Sequence, residues 1–247
     1  MTRRLALSFG TVVLMALALT GTAEAQSVSI DLGADGGALT GRVFQLIALL
    51  TLLTIAPSLL LMVTSFTRIA VVFSLLRTAL GTQGSPPNQV LVGLSLFLTF
   101  FVMQPVFERA YNEGIQPLIE ERITEREAFD RASQPFREFM LGHTREQDLM
   151  LFAQMARRPI ATPNETPMQV LIPAFMLSEL KRAFEIGFLL FIPFLVIDMV
   201  VSSILMAMGM MMLPPVVISL PFKLIFFVLV DGWNMLAGAL VQSYGMP

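Results

Sequence analysis

Six apolar stretches dominate this chain of 247 residues and constrain its fold more than any other feature. They cover residues 43–63, 69–76, 89–107, 170–177, 186–213 and 216–241. Hydrophobic residues make up 55% of the sequence and charged residues only 14%, a balance too apolar for an ordinary soluble domain. The sequence therefore predicts a membrane protein.

Prolines interrupt or bound these stretches, at Pro57, Pro105, Pro173, Pro193, Pro214, Pro215 and Pro221. Each proline removes a backbone donor and bends or ends a helix. The stretch 216–230 would form a helix of about 22 Å at ~1.5 Å per residue, shorter than the ~30 Å hydrocarbon core. Such helices are tolerated at membrane depth when they are buried in protein or line a watery path. We therefore expect an all-α fold of proline-broken, membrane-associated helical hairpins that assembles with other chains around a passage.

The N-terminus has the pattern of a secretory signal peptide. Two arginines precede an apolar run at 5–19, and an A-x-A site that ends at Ala25 follows it. These features predict a signal peptide at 1–25 with cleavage after Ala25. An uncleaved first membrane helix is the alternative, although the run is shorter than the ~20 residues of a span. Residues 26–42 are rich in Ser, Gly and Asp and predict a flexible lead-in.

A charged segment separates the apolar stretches. Residues 108–167 carry acidic and basic side chains with scattered phenylalanines, which is typical of amphipathic helices that are wet on one side and packed on the other. The sequence thus predicts a first apolar helical hairpin at 43–107, this insertion at 108–167, and C-terminal apolar helices at 168–247. Three prolines mark a linker at the end of the insertion: Pro159, Pro163 and Pro167.

The distribution of basic residues also predicts how the chain is oriented in the membrane. The segment 64–88 carries Arg68 and Arg77 and no acidic residue, and short loops rich in basic residues face the cytoplasm. With the mature N-terminus outside, the first hairpin returns the chain outward. We therefore expect the charged insertion in the periplasm.

Residues that the sequence lacks argue against several functions. Without cysteine there are no disulfides and no thiolate metal sites. A net charge of -2 without a basic stripe argues against nucleic-acid binding. The single histidine, His143, has no second ligand type at metal spacing, so we expect a solvated side chain, no metal and no cofactor. Common hydrolase and nucleotide-binding motifs are missing as well.

Three charged residues lie in the last apolar third: Asp198, Lys223 and Asp231. Charges in apolar surroundings are costly unless they are paired or hydrated, so each is a functional candidate. We expect a buried or pore-lining ion pair in which Lys223 joins either acid. One alternative is an intramembrane aspartyl protease, which needs both carboxylates around one water. Another is a small-solute transporter with a substrate site at the membrane midplane.

The segment PAFMLSELKRAFEIG, residues 173–187, is a further candidate site. It predicts an amphipathic helix with charge pairs at helical spacing, Glu179 to Arg182 and Lys181 to Glu185. A solvated helix face is the simpler interpretation. Because the segment lies between apolar stretches, we instead expect its charges to meet another subunit or a channel interior.

The segment MAMGMMMLPP, residues 206–215, concentrates methionine just before a double proline. Methionine is flexible and polarizable, and cores use it as a gap filler. Thioethers also bind Cu(I), but these methionines point several ways within two helical turns and no His or Cys joins them. The double proline ends the helix and turns the chain, so we expect the methionines at the tip of an apolar hairpin.

Long motifs in the same order closely resemble the FliP family of flagellar biosynthetic proteins. They are TSFTRIAVVFSLLRTALGTQGSPPNQVLVGLSLFLTFF, PAFMLSELKRAFEIGF, IPFLVIDMVVSSILMAMGMMMLPP and LPFKLIFFVLVDGW, and the resemblance runs from Phe44 to Tyr244. It implies a core subunit of the flagellar type III export gate, without catalytic residues. Several copies, expected to be five, would wind with FliQ and FliR into a helical cone in the basal body, at the bacterial inner membrane and periplasm. Unfolded flagellar polypeptides would pass through it, and FlhB and FlhA-type export proteins are further expected partners.

The resemblance also implies roles for the methionine segment. Met210, Met211 and Met212 would project into the passage as a gasket, and the positions that let its tip bend or turn are Gly209, Pro214 and Pro215. For subunit contacts we predict Phe139 and Phe152, two aromatics on the charged insertion, and Glu179 in the motif that follows it.

Overall fold

The computed structural model describes residues 36–82, 84–157, 166–210 and 212–245, and every regular element within these ranges is a helix. The predicted all-α fold is confirmed. Several predictions fall outside the described residues: the signal peptide with its cleavage site at Ala25, most of the lead-in, the linker prolines Pro159 and Pro163, and Met211.

Nine α-helices and one π-helix follow one another along the described part of the chain. They are α1 (Gly36–Met62), α2 (Phe66–Leu80), α3 (Asn88–Ala110), the π-helix (Tyr111–Ile115), α4 (Gln116–Ile119), α5 (Glu125–His143), α6 (Glu146–Met155), α7 (Met168–Ala207), α8 (Pro215–Leu229) and α9 (Gly232–Gln242). The first helix begins at Gly36, inside the segment predicted as a flexible lead-in. Extending an existing helix gains one hydrogen bond per residue fixed. An apolar helix can therefore extend into a neighbouring segment whose own tendency to form a helix is weak.

Contacts divide the chain into two units, residues 1–53 and 54–247. In the first unit the large apolar side chains of α1 are mostly exposed, with Phe44 at 73% and Leu53 at 68%. Bare apolar surface of this extent needs lipid or another chain to cover it.

The core of the second unit lies between α2 and α7. In α2, four apolar side chains recur at three- and four-residue spacing and are at most 1% exposed: Ile69, Val72, Phe73 and Leu76. This is the pattern of a helix face turned toward a core. The other helices add Leu91, Ala183, Phe194, Phe227, Leu236 and Leu240. The core is therefore built around α2.

Gly187 allows α2 and α7 to approach closely. A Cβ at this position would lie 2.3 Å from Leu75 Cδ1 and 3.3 Å from Leu75 Cβ. Small residues at a helix crossing let the two backbones come together.

The charged insertion packs against the first turns of α7 through a second apolar cluster. Met140, Leu171 and Phe175 are its buried members, and Phe139 and Leu149 pack against them. Thr124 immediately precedes helix α5 and caps it, because its Oγ1 accepts a hydrogen bond from the Glu127 N–H. The insertion is thus helical, as predicted, and one apolar side of it is covered by its own chain.

The prolines behave in two ways. Pro214 immediately precedes α8 and Pro215 is its first residue, at the break that was predicted. The other five lie inside helices, at Pro57, Pro105, Pro173, Pro193 and Pro221. A proline removes one hydrogen bond and bends the helix, but packing can hold the helix on both sides of it. As a result, α7 is continuous over 40 residues and joins two stretches that the sequence separated.

Among the described residues, three helical segments are long and apolar enough to cross a membrane: Val43–Met62, Asn88–Ile119 and Met168–Ala207. Helices α8 and α9 pass the same test together but are bent by 63° at the break between them. The α8 helix has 15 residues, close to the short helix expected from the sequence.

Candidate functional site

The methionine segment forms the turn between α7 and α8. Helix α7 ends at Ala207, and α8 begins at Pro215. The described methionines of this turn are well exposed, and Met212 reaches 98%. Met210 and Met212 therefore lie at the tip of a helical hairpin, where the sequence placed them.

Local chemistry explains why the chain turns here. Gly209 has a φ of 72°, a conformation that costs glycine little and other residues more. The Met210 N–H donates to the Leu205 carbonyl at 2.9 Å, and the Gly209 N–H donates to the Met206 carbonyl at 3.1 Å. These two bonds form a Schellman motif, a common helix C-terminus. Pro215 then occupies the first position of α8, where its missing N–H costs nothing.

An ion pair fastens the stem of this hairpin. Lys223 Nζ on α8 donates to Asp198 Oδ2 on α7 at 2.7 Å and to the Ala79 carbonyl of α2 at 3.2 Å. Ser219 Oγ donates to the other carboxylate oxygen of Asp198 at 2.5 Å. The lysine side chain is only 4% exposed and that of the aspartate 32%. Three helices are thus joined by one charged cluster.

Asp231 takes no part in this cluster. It is exposed, it lies just before α9 with a φ of 50°, and its Oδ2 accepts a hydrogen bond from Asn234 Nδ2 at 3.2 Å. The sequence left both acids open as partners of Lys223, and the structure selects Asp198. Because the two aspartates bind different groups, they do not form the paired carboxylates of an aspartyl protease.

A second charged cluster is centred on a completely buried ion pair. Arg68 on α2 donates to both carboxylate oxygens of Glu179 on α7, with an Nε to Oε2 distance of 2.9 Å, and neither side chain is exposed. Tyr244 Oη donates to Glu179 Oε2 at 2.5 Å, and its ring centre lies 3.8 Å from the Arg68 guanidinium carbon. Arg68 also donates to Ser243 Oγ at 2.9 Å. The cluster therefore joins α2, α7 and the residues after α9.

This arrangement corrects the predicted pairing of Glu179 with Arg182. Glu179 binds Arg68, which is 111 residues away in sequence, whereas Lys181 and Glu185 do lie 3.8 Å apart as predicted. The structure gives Glu179 partners inside its own chain and no exposed surface. Sequence reasoning missed Arg68 as a partner and used it only to orient the chain. A weak signal was present, since Arg68 and Glu179 each lie next to one end of an apolar stretch.

Phe139 and His143 lie beside the buried cluster. The Phe139 ring stacks on Tyr244 at 5.8 Å, and the His143 ring lies 5.0 Å from that of Tyr244. His143 Nδ1–H donates to the Phe139 carbonyl at 2.7 Å. The prediction of a solvated His143 is wrong, because α5 packs the ring against the C-terminal residues. Burial lowers the pKa of His143, and this effect exceeds the opposing backbone hydrogen bond.

A further polar cluster lies at the start of α6 and was also missed. Arg145 donates to both carboxylate oxygens of Asp148 at 2.8 Å, and Ser178 Oγ on α7 donates to Asp148 Oδ2 at 2.6 Å. Phe152, one turn further along α6, is half-buried. Across the described ranges, no group of three or more histidine and acidic side chains is placed to hold a metal ion.

Comparison with known proteins gives one family. The family model of the FliP family matches residues 49–240. A flagellar biosynthetic protein FliP of Caulobacter vibrioides is 61% identical over 224 residues, which cover 90% of this chain and 84% of that protein. The protein of the same name from Rhizobium meliloti is 47% identical over 96% of this chain and 99% of its own length. That of Bacillus subtilis is 53% identical over 81% of this chain and 91% of its own length.

Proposed function

This chain belongs to the FliP family of flagellar biosynthetic proteins, and from that premise we propose that it is a core subunit of the flagellar type III export gate. It is not an enzyme, since its relatives are named as flagellar biosynthetic proteins. In the proposed gate it combines with FliQ and FliR to form a channel for unfolded flagellar polypeptides. The observation that carries this proposal is the exposed methionine turn at the tip of a helical hairpin whose two helices are joined by an ion pair.

The methionine turn suits a seal that must also open. Met210, Met211 and Met212 form the proposed gasket, and Met212 is almost fully exposed in the single chain. When the turn is repeated around an axis, flexible thioether side chains can pack against one another at rest and adapt to many passing sequences. The left-handed Gly209 and the double proline, Pro214 and Pro215, let the turn bend without altering the helices.

The stem below the gasket is held in place by the Asp198–Lys223 pair. Removing the Asp198 carboxylate would leave the buried Lys223 ammonium without a counter-charge, which costs several kcal/mol. We assign this pair the role of fixing α8 on α7 and α2, so that the turn alone moves. Asp231, which is exposed between α8 and α9, is the proposed charge that meets the passage or a neighbouring chain.

Large exposed apolar surfaces support assembly into an oligomer. On α7, Met199 is 64% and Ile204 53% exposed, and on α8 Leu229 is 79% exposed. We propose that several copies, five in number, cover these surfaces in a helical cone with FliQ and FliR. FlhB and FlhA-type export proteins are the further proposed partners. The proposed location is the basal body, in the bacterial cell membrane and periplasm.

Phe139 and Phe152 remain our proposed subunit contacts on the insertion. Both keep part of their ring surface open in the single chain. We do not include Glu179 among the proposed subunit contacts, because its buried hydrogen bonds to Arg68 and Tyr244 suit a role in holding the subunit itself together. If Phe152→Ala left the complex intact on native gels, Phe152 would leave it too.

The gasket can be tested in cells that produce the chain together with FliQ and FliR. Replacing Met210, Met211 and Met212 by alanine should leave the complex intact on native gels and make the membrane leak small ions. Met155→Ala is a matched control, because Met155 is 71% exposed but lies on α6 in the insertion. Normal assembly without a leak would contradict the gasket. Continued secretion of flagellar subunits after deletion of the gene would contradict the export function itself.

A further inference from the structure

An open cavity of about 410 Å³ lies on the second unit, where α2, α7, the start of α6 and the C-terminal residues meet. Three arginines are among the residues that line it, Arg68, Arg145 and Arg182. Two aliphatic side chains, Ile186 and Leu189, form another part of its wall. A ligand that carries an anionic group next to an apolar chain matches such a lining.

Two of the three arginines already have a carboxylate partner. Arg68 is bound by Glu179 and its side chain has no exposed surface, so it is held in place at the base of the cavity. Arg145 uses Nε and Nη2 to bind Asp148, and its side chain is 24% exposed. In this arrangement Arg145 Nη1 makes none of the bonds to Asp148. It therefore has donor capacity left for a ligand.

Arg182 is the cation of the cavity that is not neutralised. Within residues 36–82, 84–157, 166–210 and 212–245, no acidic side chain lies within ion-pair distance of its guanidinium. Glu185 also lines the cavity, but it lies 3.8 Å from Lys181. One positive charge thus remains, and a single phosphodiester would neutralise it with charge-assisted hydrogen bonds.

The position of Arg182 on α7 indicates where that phosphate comes from. Beyond Glu185, Asp198 is the only charged residue of α7. From this point the helix exposes large apolar side chains, with Phe188 at 68% and Leu189 at 64%. Basic side chains at the polar end of an apolar helix surface reach the headgroup layer of a membrane.

We propose that this cavity binds the headgroup phosphate of an anionic phospholipid. Arg182 supplies the charge, Arg145 Nη1 supplies a second donor, and Ile186 and Leu189 support the start of an acyl chain. An acidic side chain of a second copy would satisfy the charge as well, but it would leave this aliphatic wall uncovered. The site concerns lipid binding and does not depend on the export function.

The test is native mass spectrometry of the full-length chain in neutral detergent, titrated with phosphatidylglycerol or phosphatidylcholine. The wild type should bind phosphatidylglycerol more tightly. Arg182→Gln should weaken that binding about tenfold, the loss expected for one charge-assisted hydrogen bond. Arg131→Gln removes the same charge from an exposed residue of α5 that does not line the cavity, and should change binding less than about twofold. Arg182→Lys should retain most of the binding, which separates loss of charge from a folding defect.

Three results would overturn the proposal. The first is equal phosphatidylglycerol binding by Arg182→Gln and the wild type. The second is competition by millimolar inorganic phosphate with the same dependence on Arg182, which would make the ligand a free anion. The third is dissociation of a homo-oligomer by Arg182→Gln on native gels with lipid binding unchanged, which would place an acidic side chain of a second copy in the cavity.

Discussion

Removing one charge of the buried Arg68–Glu179 pair should destabilise the chain more than any change at the exposed pairs. Glu179→Gln keeps the size of the side chain but leaves the Arg68 guanidinium without a counter-charge at 0% exposure. It also places an amide N–H group where a carboxylate oxygen accepted hydrogen bonds from Arg68 and Tyr244. One of these donors then faces another donor.

The magnitude follows from the burial of the pair. Leaving one partner of a buried ion pair uncompensated costs about 3–5 kcal/mol. The glutamine retains one acceptor oxygen, and Arg68 keeps its hydrogen bonds to Ser243. We therefore expect a loss near the lower end, about 3 kcal/mol. Glu185→Gln is the matched control on the same helix, because Glu185 is 61% exposed and exposed pairs contribute ~1 kcal/mol or less.

The assay is a double-mutant cycle on the purified chain, with unfolding in mixed micelles followed by circular dichroism. Arg68→Met and Glu179→Gln are made singly and together. The double variant removes both charges, so its loss should be smaller than the sum of the single losses by about 1–3 kcal/mol. Additive losses, or a Glu179→Gln variant as stable as Glu185→Gln, would refute the claim that this pair holds the subunit together.

Three further perturbations have defined outcomes. Gly209→Ala should destabilise the methionine turn by about 1–2 kcal/mol, because φ is 72°; an unchanged unfolding midpoint would remove the glycine requirement. Acidification below about pH 6.5 should destabilise the chain through His143, since its folded pKa is lowered and the unfolded state binds the proton first. His143→Gln should remove that part of the pH dependence, and an identical pH profile in the variant would exclude His143 as its source. Gly187→Ala should cost about 1–3 kcal/mol because its Cβ would meet Leu75 Cδ1, whereas Gly238→Ala, with nothing within 4 Å, should be neutral or stabilising; equal unfolding midpoints for the two would argue against a close helix crossing.

The methionine turn was predictable because its causes are local. Glycine followed by a double proline after an apolar run specifies where a helix ends and where the next one begins. The Schellman bonds of Met210 and Gly209 involve residues no more than five positions apart. Sequence alone therefore located the turn and the exposed methionines.

The effect of the other prolines was not predictable in the same way. Pro173 and Pro193 lie inside the 40-residue α7. A proline in the interior of a helix costs one hydrogen bond, and packing on either side decides whether the helix continues. Helix α7 lies along the core built around α2, so its two apolar stretches stay in one helix.

By itself, the sequence determined the helical class, the apolar surfaces, the methionine turn and membership of the FliP family. These follow from composition, from helical periodicity and from motifs that can be read along the chain. Only the tertiary structure decided which charges meet. Lys223 forms its ion pair with Asp198 and not with Asp231. Glu179 forms its ion pair with Arg68 and not with Arg182, which is three residues away in sequence. A charge can pair with any opposite charge within reach, and which one lies within reach is set by how the helices cross.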